Sequence, residues 1–67
     1  MEKDERNEIL RKILEPEAKE RLSRVKLVKP NLVEQVENYL INLFLAGKIN
    51  KKIGENEIIE VLKRLNR

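Results

Sequence analysis

The chain has 67 residues, of which 40% are charged, and a formal net charge of +3. These values fit one small domain of modest stability, spanning residues 1–67. Because the sequence contains neither Cys nor His, it excludes disulfides and the usual zinc ligands, and we expect no metal site and no cofactor. Its longest strongly apolar run, residues 39–46, is far shorter than the ~20 residues that cross a bilayer, so we expect no membrane contact.

The N-terminal segment, residues 1–14, is predicted to be a helix. Residues 1–8 are charged and are expected to fray, whereas the helical core is predicted to cover residues 9–65. The favourable i, i+4 pairs Glu2–Arg6 and Glu8–Lys12 support helix formation. The docking face consists of four apolar residues at helical spacing: Ile9, Leu10, Ile13 and Leu14.

Pro16 ends this helix, because a residue that precedes proline avoids the right-handed helical region, and the same proline can open the next helix. The second helix is predicted to bury Ala18, Leu22 and Val25. Leu27 falls on the opposite side of that wheel, so the helix is expected to stop near Lys26. Leu27 and Val28 would then run in an extended linker.

A central helix is predicted between Lys29 and Gly47. Pro30 suits its first position, and Gly47 suits the left-handed residue just past its end. Its polar residues form one narrow stripe, and apolar residues occupy most of the remaining circumference. Such a helix needs partners on more than one side, so the other segments are expected to pack around it.

The segment after Gly47 is predicted to turn Ile49 and Ile53 toward the core and its lysines toward solvent. Gly54 is predicted to cap a last helix, with Glu57 forming part of a capping box. The apolar stripe of that helix consists of Ile58, Val61, Leu62 and Leu65, and its C-terminal Lys63, Arg64 and Arg67 complement the helix dipole. The fold class is therefore all-α: a compact three-helix bundle core preceded by an additional N-terminal helix.

The aromatic content argues against base stacking. The sequence has one Tyr, one Phe and no Trp. Because large rings prefer burial, Tyr39 and Phe44, which both lie on the central helix, are expected to pack into the core of the domain. Exposed aromatic platforms of the kind that single-strand binders use are therefore not expected.

Positive charge is concentrated in two short stretches, residues 21–30 and 47–53. These stretches contain the candidate phosphate contacts, which are Arg21, Arg24, Lys26, Lys29, Lys48, Lys51 and Lys52. The alternative is that they only keep a small domain in solution. Since the stretches flank the central helix, they are expected at its opposite ends.

The residues also resemble a known family. The run from Ile9 to Leu65, and most specifically PEAKERLSRVKLVKP followed by VENYL, is similar to the core of the programmed cell death protein 5 family. The resemblance implies a three-helix core preceded by another helix, no enzymatic activity, and double-stranded DNA as the partner, because archaeal members are described as double-stranded DNA-binding proteins. An archaeal protein of this kind would lie in the cytosol at the nucleoid, and a eukaryotic one in nucleus and cytoplasm.

This sequence departs from the family pattern in two respects. Relatives usually extend further at both ends, with a basic C-terminal tail, so this chain is expected to be a core fragment. Gly54 stands where relatives commonly have a threonine cap, a change expected to cost a few tenths of a kcal/mol.

Two hypotheses for function remain, and an enzyme is the least favoured class. Ser23 is the only Ser or Thr and has no candidate base beside it, so no catalytic residue is predicted. The leading hypothesis is a monomer that binds the backbone of duplex DNA through Lys and Arg with little sequence specificity. The alternative is a protein-interaction module, in which the second helix and the RVKLVKP stretch present a surface to an acidic partner; the family resemblance implies an apoptosis-related or chaperone-related adaptor.

Overall fold

Four helices make up most of residues 3–66, the part of the chain that the computed structural model describes. They span Lys3–Ile13 (α1), Pro16–Val28 (α2), Pro30–Leu45 (α3) and Glu55–Leu65 (α4). The all-α prediction is confirmed, and β-type backbone pairing in this part of the chain is confined to an isolated bridge between Leu14 and Ile53. The predicted roles of Glu2 and Arg67 fall outside the described residues.

Proline and glycine set the helix boundaries as predicted. Glu15 is extended, with ψ 157°, and Pro16 opens α2, while Lys29 at φ −133° separates α2 from Pro30 at the start of α3. Gly47 adopts φ 73°, its N–H donates to the Phe44 carbonyl, and the Lys48 N–H donates to the Leu43 carbonyl. This pair of bonds is the Schellman motif, which closes the C-terminus of α3.

The helix α3 is the centre of the domain, because it packs against α1, α2 and α4. The core draws side chains from all four helices and from both bridge residues, so α1 is an integral part of it. The buried apolar residues are Leu10, Ile13, Leu14, Ala18, Leu22, Val33, Val36, Leu40, Ile41, Ile53 and Ile58.

Two predictions are wrong, one about the end of α2 and one about the burial of Tyr39. The helix α2 continues through Leu27 and Val28, which are 86% and 78% exposed, because nothing breaks the helix before the Lys29–Pro30 step. Tyr39 is 44% exposed, whereas Phe44 is partly buried against the core. The apolar residues of α3 occupy more of its circumference than α1, α2 and α4 cover. Tyr39 lies at the edge of the covered part and therefore stays partly exposed.

Candidate nucleic-acid interface

A short backbone bridge joins the two longer connections of the chain. The Ile53 N–H donates to the Ile13 carbonyl at 2.7 Å, and the Glu15 N–H donates to the Ile53 carbonyl at 2.9 Å. The bridge forms because α1 leaves the Ile13 carbonyl unpaired at its C-terminus, and Glu15, held extended before Pro16, presents an N–H that no helix uses. The last turn of α1 therefore lies beside the residues that precede Ile53.

The α3–α4 connection presents its lysines to solvent, as predicted. Ile49 packs partly buried against the core and Ile53 is buried, so the chain is held at both points. The lysines between and beside them, Lys48, Lys51 and Lys52, are all exposed. Across residues 3–66, no carboxylate lies within 4.0 Å of any of these three ammonium groups.

Sequence reasoning missed two cations that belong with these lysines. Arg11 and Lys12 form the last turn of α1 and are exposed. They directly precede Ile13, whose carbonyl accepts the bridge hydrogen bond, while Lys51 and Lys52 directly precede Ile53, which donates it. Basic residues are common in the last turn of a helix, where they interact favourably with the helix dipole. Arg11 and Lys12 therefore needed no other explanation, and nothing in the sequence indicated that they lie near the α3–α4 connection.

We call these five exposed cations the bridge-side surface: Arg11, Lys12, Lys48, Lys51 and Lys52. Exposed carboxylates lie among them and beside the bridge. Glu8 shares a shallow depression with Arg11 and Lys12, and Glu15 is part of the bridge itself. Glu57 accepts a hydrogen bond from the Gly54 N–H directly after the bridge, so carboxylates offset part of the positive charge on this side of the domain.

The other predicted cluster is divided between two faces of α2. Arg21 and Arg24 lie on one stripe of the helix with Val25 and Val28. Because each residue turns a helix by about 100°, Lys26 lies on the far side of α2. There it lines a depression with Lys19, Ser23 and Glu37. The structure therefore brings Arg21, Arg24 and Lys29 together and separates Lys26 from them.

Intramolecular partners occupy both arginines of that cluster. Arg21 Nε donates to Glu55 Oε2 at 2.7 Å, and Arg24 lies 3.2 Å from Glu20 on the same helix. Lys29 Nζ donates to the side-chain oxygen of Asn66 at 3.3 Å. The two carboxylates reduce the positive charge that the arginines offer to an anion, in contrast to the lysines of the bridge-side surface.

The stripe of α2 forms one wall of an elongated groove of about 420 Å³. The opposite wall is α4, which runs parallel to α2, since both helices begin at the bridge and Lys29 and Asn66 meet near their ends. We call it the α2–α4 groove, and its lining consists of Arg21, Arg24, Val25, Val28, Lys29, Leu32, Ile59, Leu62, Lys63 and Asn66. Lys63 is a further basic residue whose position in a site the sequence did not indicate.

Other kinds of site find little support in the described part of the chain. Ser23 is exposed on the surface of α2. Residues 3–66 contain no cluster of three or more carboxylates placed to share a metal ion. Nor is any helix in this range long and apolar enough to cross a bilayer.

Comparison with known proteins gives one family match, over the full length. The model of a family described as a double-stranded DNA-binding domain matches residues 1–67. The expected Ile9–Leu65 resemblance therefore extends to both ends of the chain.

Archaeal proteins are similar over most of the chain. A DNA-binding protein of Picrophilus torridus is 62% identical over 58 residues, which are 87% of this chain and 51% of that protein. A DNA-binding protein of Archaeoglobus fulgidus is 60% identical over 57 residues, covering 85% and 51% of the two chains. One from Thermoplasma acidophilum is 50% identical over 60 residues, covering 90% and 52%. The chain thus spans about half the length of the curated relatives it matches.

Proposed function

Since the chain belongs to the double-stranded DNA-binding domain family, that of programmed cell death protein 5, we propose that it binds duplex DNA through the bridge-side surface. In this proposal the protein acts as a non-enzymatic monomer in the archaeal cytosol, at the nucleoid. Its Lys and Arg side chains contact phosphates and read little or no sequence.

The observation that carries this proposal is the hydrogen bond from Ile53 to Ile13. It holds the basic last turn of α1 against the lysine-rich α3–α4 connection, so that five cations share one side of the domain. Duplex DNA carries its charge at closely spaced phosphates, and such a cluster can neutralise several of them at once.

The chemistry of these side chains supports backbone contact rather than base readout. Lys is a compact point charge on a flexible stem, and contacts from Lys and Arg to phosphate oxygens carry no sequence information directly. The longest dimension of the domain is 27 Å, so at 3.4 Å per base pair it covers at most about eight base pairs. Affinity should therefore be modest and strongly dependent on salt.

Arg21 and Arg24 are assigned a secondary role, because each already has a carboxylate partner within 3.2 Å. A phosphate that approached either guanidinium would compete with that carboxylate. Lys26 faces a different side of the domain and would not contact the same duplex segment.

Fluorescence anisotropy of a labelled random-sequence duplex, titrated with the protein at several salt concentrations, tests the proposal. Three or four phosphate contacts predict a log–log slope of roughly −3 to −4, with similar values for unrelated duplexes. The variant Lys48→Ala/Lys51→Ala/Lys52→Ala should bind every duplex more weakly and lose up to about 2.7 of that slope.

The matched control removes three positive charges elsewhere, in Lys26→Ala/Lys63→Ala/Arg64→Ala. Because these residues are exposed and lie toward the far ends of α2 and α4, away from the bridge, this variant should lose much less affinity and slope than the first. Equal losses in the two variants would mean that overall charge, rather than the bridge-side surface, governs binding. Absence of binding by the unmodified chain at low salt would refute DNA binding by this domain.

A further inference from the structure

We propose that the α2–α4 groove is a docking site for an acidic amphipathic helix of a protein partner. The proposal does not depend on DNA binding, because the groove shares no residue with the bridge-side surface. It rests on three properties of the groove: an apolar floor open to solvent, a basic rim, and straight parallel walls.

The floor consists of aliphatic side chains that the domain leaves partly uncovered. They are Val25, Val28, Leu32, Ile59 and Leu62. None of them belongs to the fully buried core, and Val28 is 78% exposed. The volume of about 420 Å³ falls in the range of pockets that bind small molecules or the anchoring side chains of a peptide. Covering this floor would remove apolar surface from water, which favours an occupant with apolar side chains of its own.

The rim carries one sign of charge. Four lining residues are cationic, namely Arg21, Arg24, Lys29 and Lys63, and none of the lining residues is Asp or Glu. Glu55 and Glu20 offset the two arginines from outside the groove. No carboxylate of residues 3–66 lies within 4.0 Å of Lys29 or Lys63. A partner surface that complements the groove is therefore apolar along its centre and acidic at its edges.

The shape of the groove fits a helix. Its α2 wall uses residues 21, 24, 25 and 28, and its α4 wall uses residues 59, 62, 63 and 66, so both walls follow the i, i+3, i+4, i+7 spacing. Each wall is thus straight for two turns, about 10 Å. A ridge of side chains on a third helix packs into such a groove, which is the usual mode by which amphipathic helices bind.

A DNA duplex fits this groove less well. Its phosphates could reach the rim, but a polyanion has no aliphatic side chains to cover Val28, Leu32 or Leu62. Duplex DNA bound at the groove would therefore leave the apolar floor exposed to water. An acidic amphipathic helix would bury the floor and pair with the cations of the rim at the same time.

The probe is a synthetic helical peptide with leucines along one face and glutamates on both flanking faces. Its binding is followed by the chemical shifts of backbone amides and by titration calorimetry. We expect the largest shift changes at the groove-lining residues and an affinity in the micromolar to millimolar range. A peptide of the same composition in shuffled order, without an apolar face, should bind at least several-fold more weakly.

Two pairs of neighbouring substitutions separate the groove from the surrounding surface. Val28→Glu places a carboxylate in the groove and should weaken peptide binding about tenfold, equivalent to roughly 1.4 kcal/mol, whereas Leu27→Glu, one residue earlier and outside the groove, should not. Lys63→Glu should weaken binding and Arg64→Glu should not. All four positions are exposed or at the rim, so circular dichroism should report an unchanged fold.

The Lys48→Ala/Lys51→Ala/Lys52→Ala variant should bind the peptide as tightly as the unmodified chain, which separates this proposal from the DNA proposal. The docking proposal is wrong if the peptide does not bind at millimolar concentration, or if the two members of each pair behave alike. It is also wrong if Val28→Glu abolishes duplex binding or self-association and leaves peptide binding unchanged, because the groove would then belong to DNA or to a second copy.

Discussion

Arg21 and Glu55 form a hydrogen-bonded ion pair, in which Arg21 Nε donates to Glu55 Oε2 at 2.7 Å. The pair links the second turn of α2 to the first turn of α4, across 34 residues of sequence. Both side chains are about two-thirds buried, which is more than either member of the Arg24–Glu20 pair. The contact fixes the register of the two walls of the α2–α4 groove, and it occupies an arginine that the sequence suggested for phosphate binding.

The energy of this pair can be measured with a double-mutant cycle of Arg21→Ala and Glu55→Ala. We expect a coupling free energy of about 0.5–1 kcal/mol in urea unfolding, since partly exposed ion pairs fall in that range and salt screens them. The corresponding cycle of Arg24→Ala and Glu20→Ala, an exposed pair on one helix, should give less, about 0.3–0.5 kcal/mol. A larger coupling for the exposed pair would contradict the geometry described above.

Arg11 and Lys12 provide a test of the bridge-side surface that sequence reasoning would not have suggested. If both contact phosphates, the variant Arg11→Ala/Lys12→Ala should reduce the magnitude of the DNA salt slope by up to about 1.8. The matched variant Lys26→Ala/Arg64→Ala removes the same charge from residues away from the bridge and should change the slope little. Slopes that are equal in the two variants would exclude Arg11 and Lys12 from the interface.

The two glycines should respond in opposite directions to the addition of a side chain. Gly47 has φ 73°, so Gly47→Ala should destabilise the domain by roughly 1–2 kcal/mol even though no atom crowds the new Cβ. Gly54 is extended at the N-cap of α4, and its N–H donates to Glu57 Oε1 at 3.3 Å. Gly54→Ser should stabilise by a few tenths of a kcal/mol, because serine can supply the missing half of the capping box.

Thermal and urea unfolding of both variants check this prediction. A neutral effect of Gly47→Ala would mean that the C-terminus of α3 relaxes out of its Schellman motif at little cost. A destabilising Gly54→Ser would mean that the serine hydroxyl fails to reach the backbone of the first turn.

Leu40 and Leu27 should differ sharply, although both are leucines in helices. Leu40 is 1% exposed in the core, so Leu40→Ala should cost about 2–5 kcal/mol, a large part of the stability of so small a domain. Leu27 is 86% exposed at the end of α2, and Leu27→Ala should change the free energy of unfolding by less than about 0.5 kcal/mol. A large cost for Leu27→Ala would show that this side chain is covered in solution.

Much of the fold could be predicted because its signals are local. Pro16, Pro30 and Gly47 restrict the backbone of their own residues and immediate neighbours, so the boundaries that they set were predicted correctly. The spacing of Leu10, Ile13 and Leu22 likewise indicated which helix faces are buried. The end of α2 was predicted two residues too early, since the wheel argument assumed that an apolar side chain such as Leu27 would not remain in solvent on a helix.

The candidate site was predicted in part. Lys48, Lys51 and Lys52 are exposed as expected, because Ile49 and Ile53 hold the loop to the core on either side of them. Lys26 was grouped with Arg21 and Arg24 by proximity along the chain, but the continued helix turns it onto another face. Tyr39 was assigned to the core from the preference of aromatic rings, yet how far neighbouring helices cover α3 is a property of their packing.

The sequence by itself thus determined the helices, their caps and the centrality of α3, since these follow from periodicity and from backbone restrictions within a few residues. Tertiary structure alone decided which charges are neighbours. The bond between Ile53 and Ile13 joins Arg11 and Lys12 to lysines some 40 positions away, and parallel packing of α2 and α4 brings Lys63 opposite Arg24. Cations that become neighbours in the folded domain share no spacing or motif in the sequence. Their proximity depends on how the helices pack around the apolar core, so the sequence alone does not indicate it.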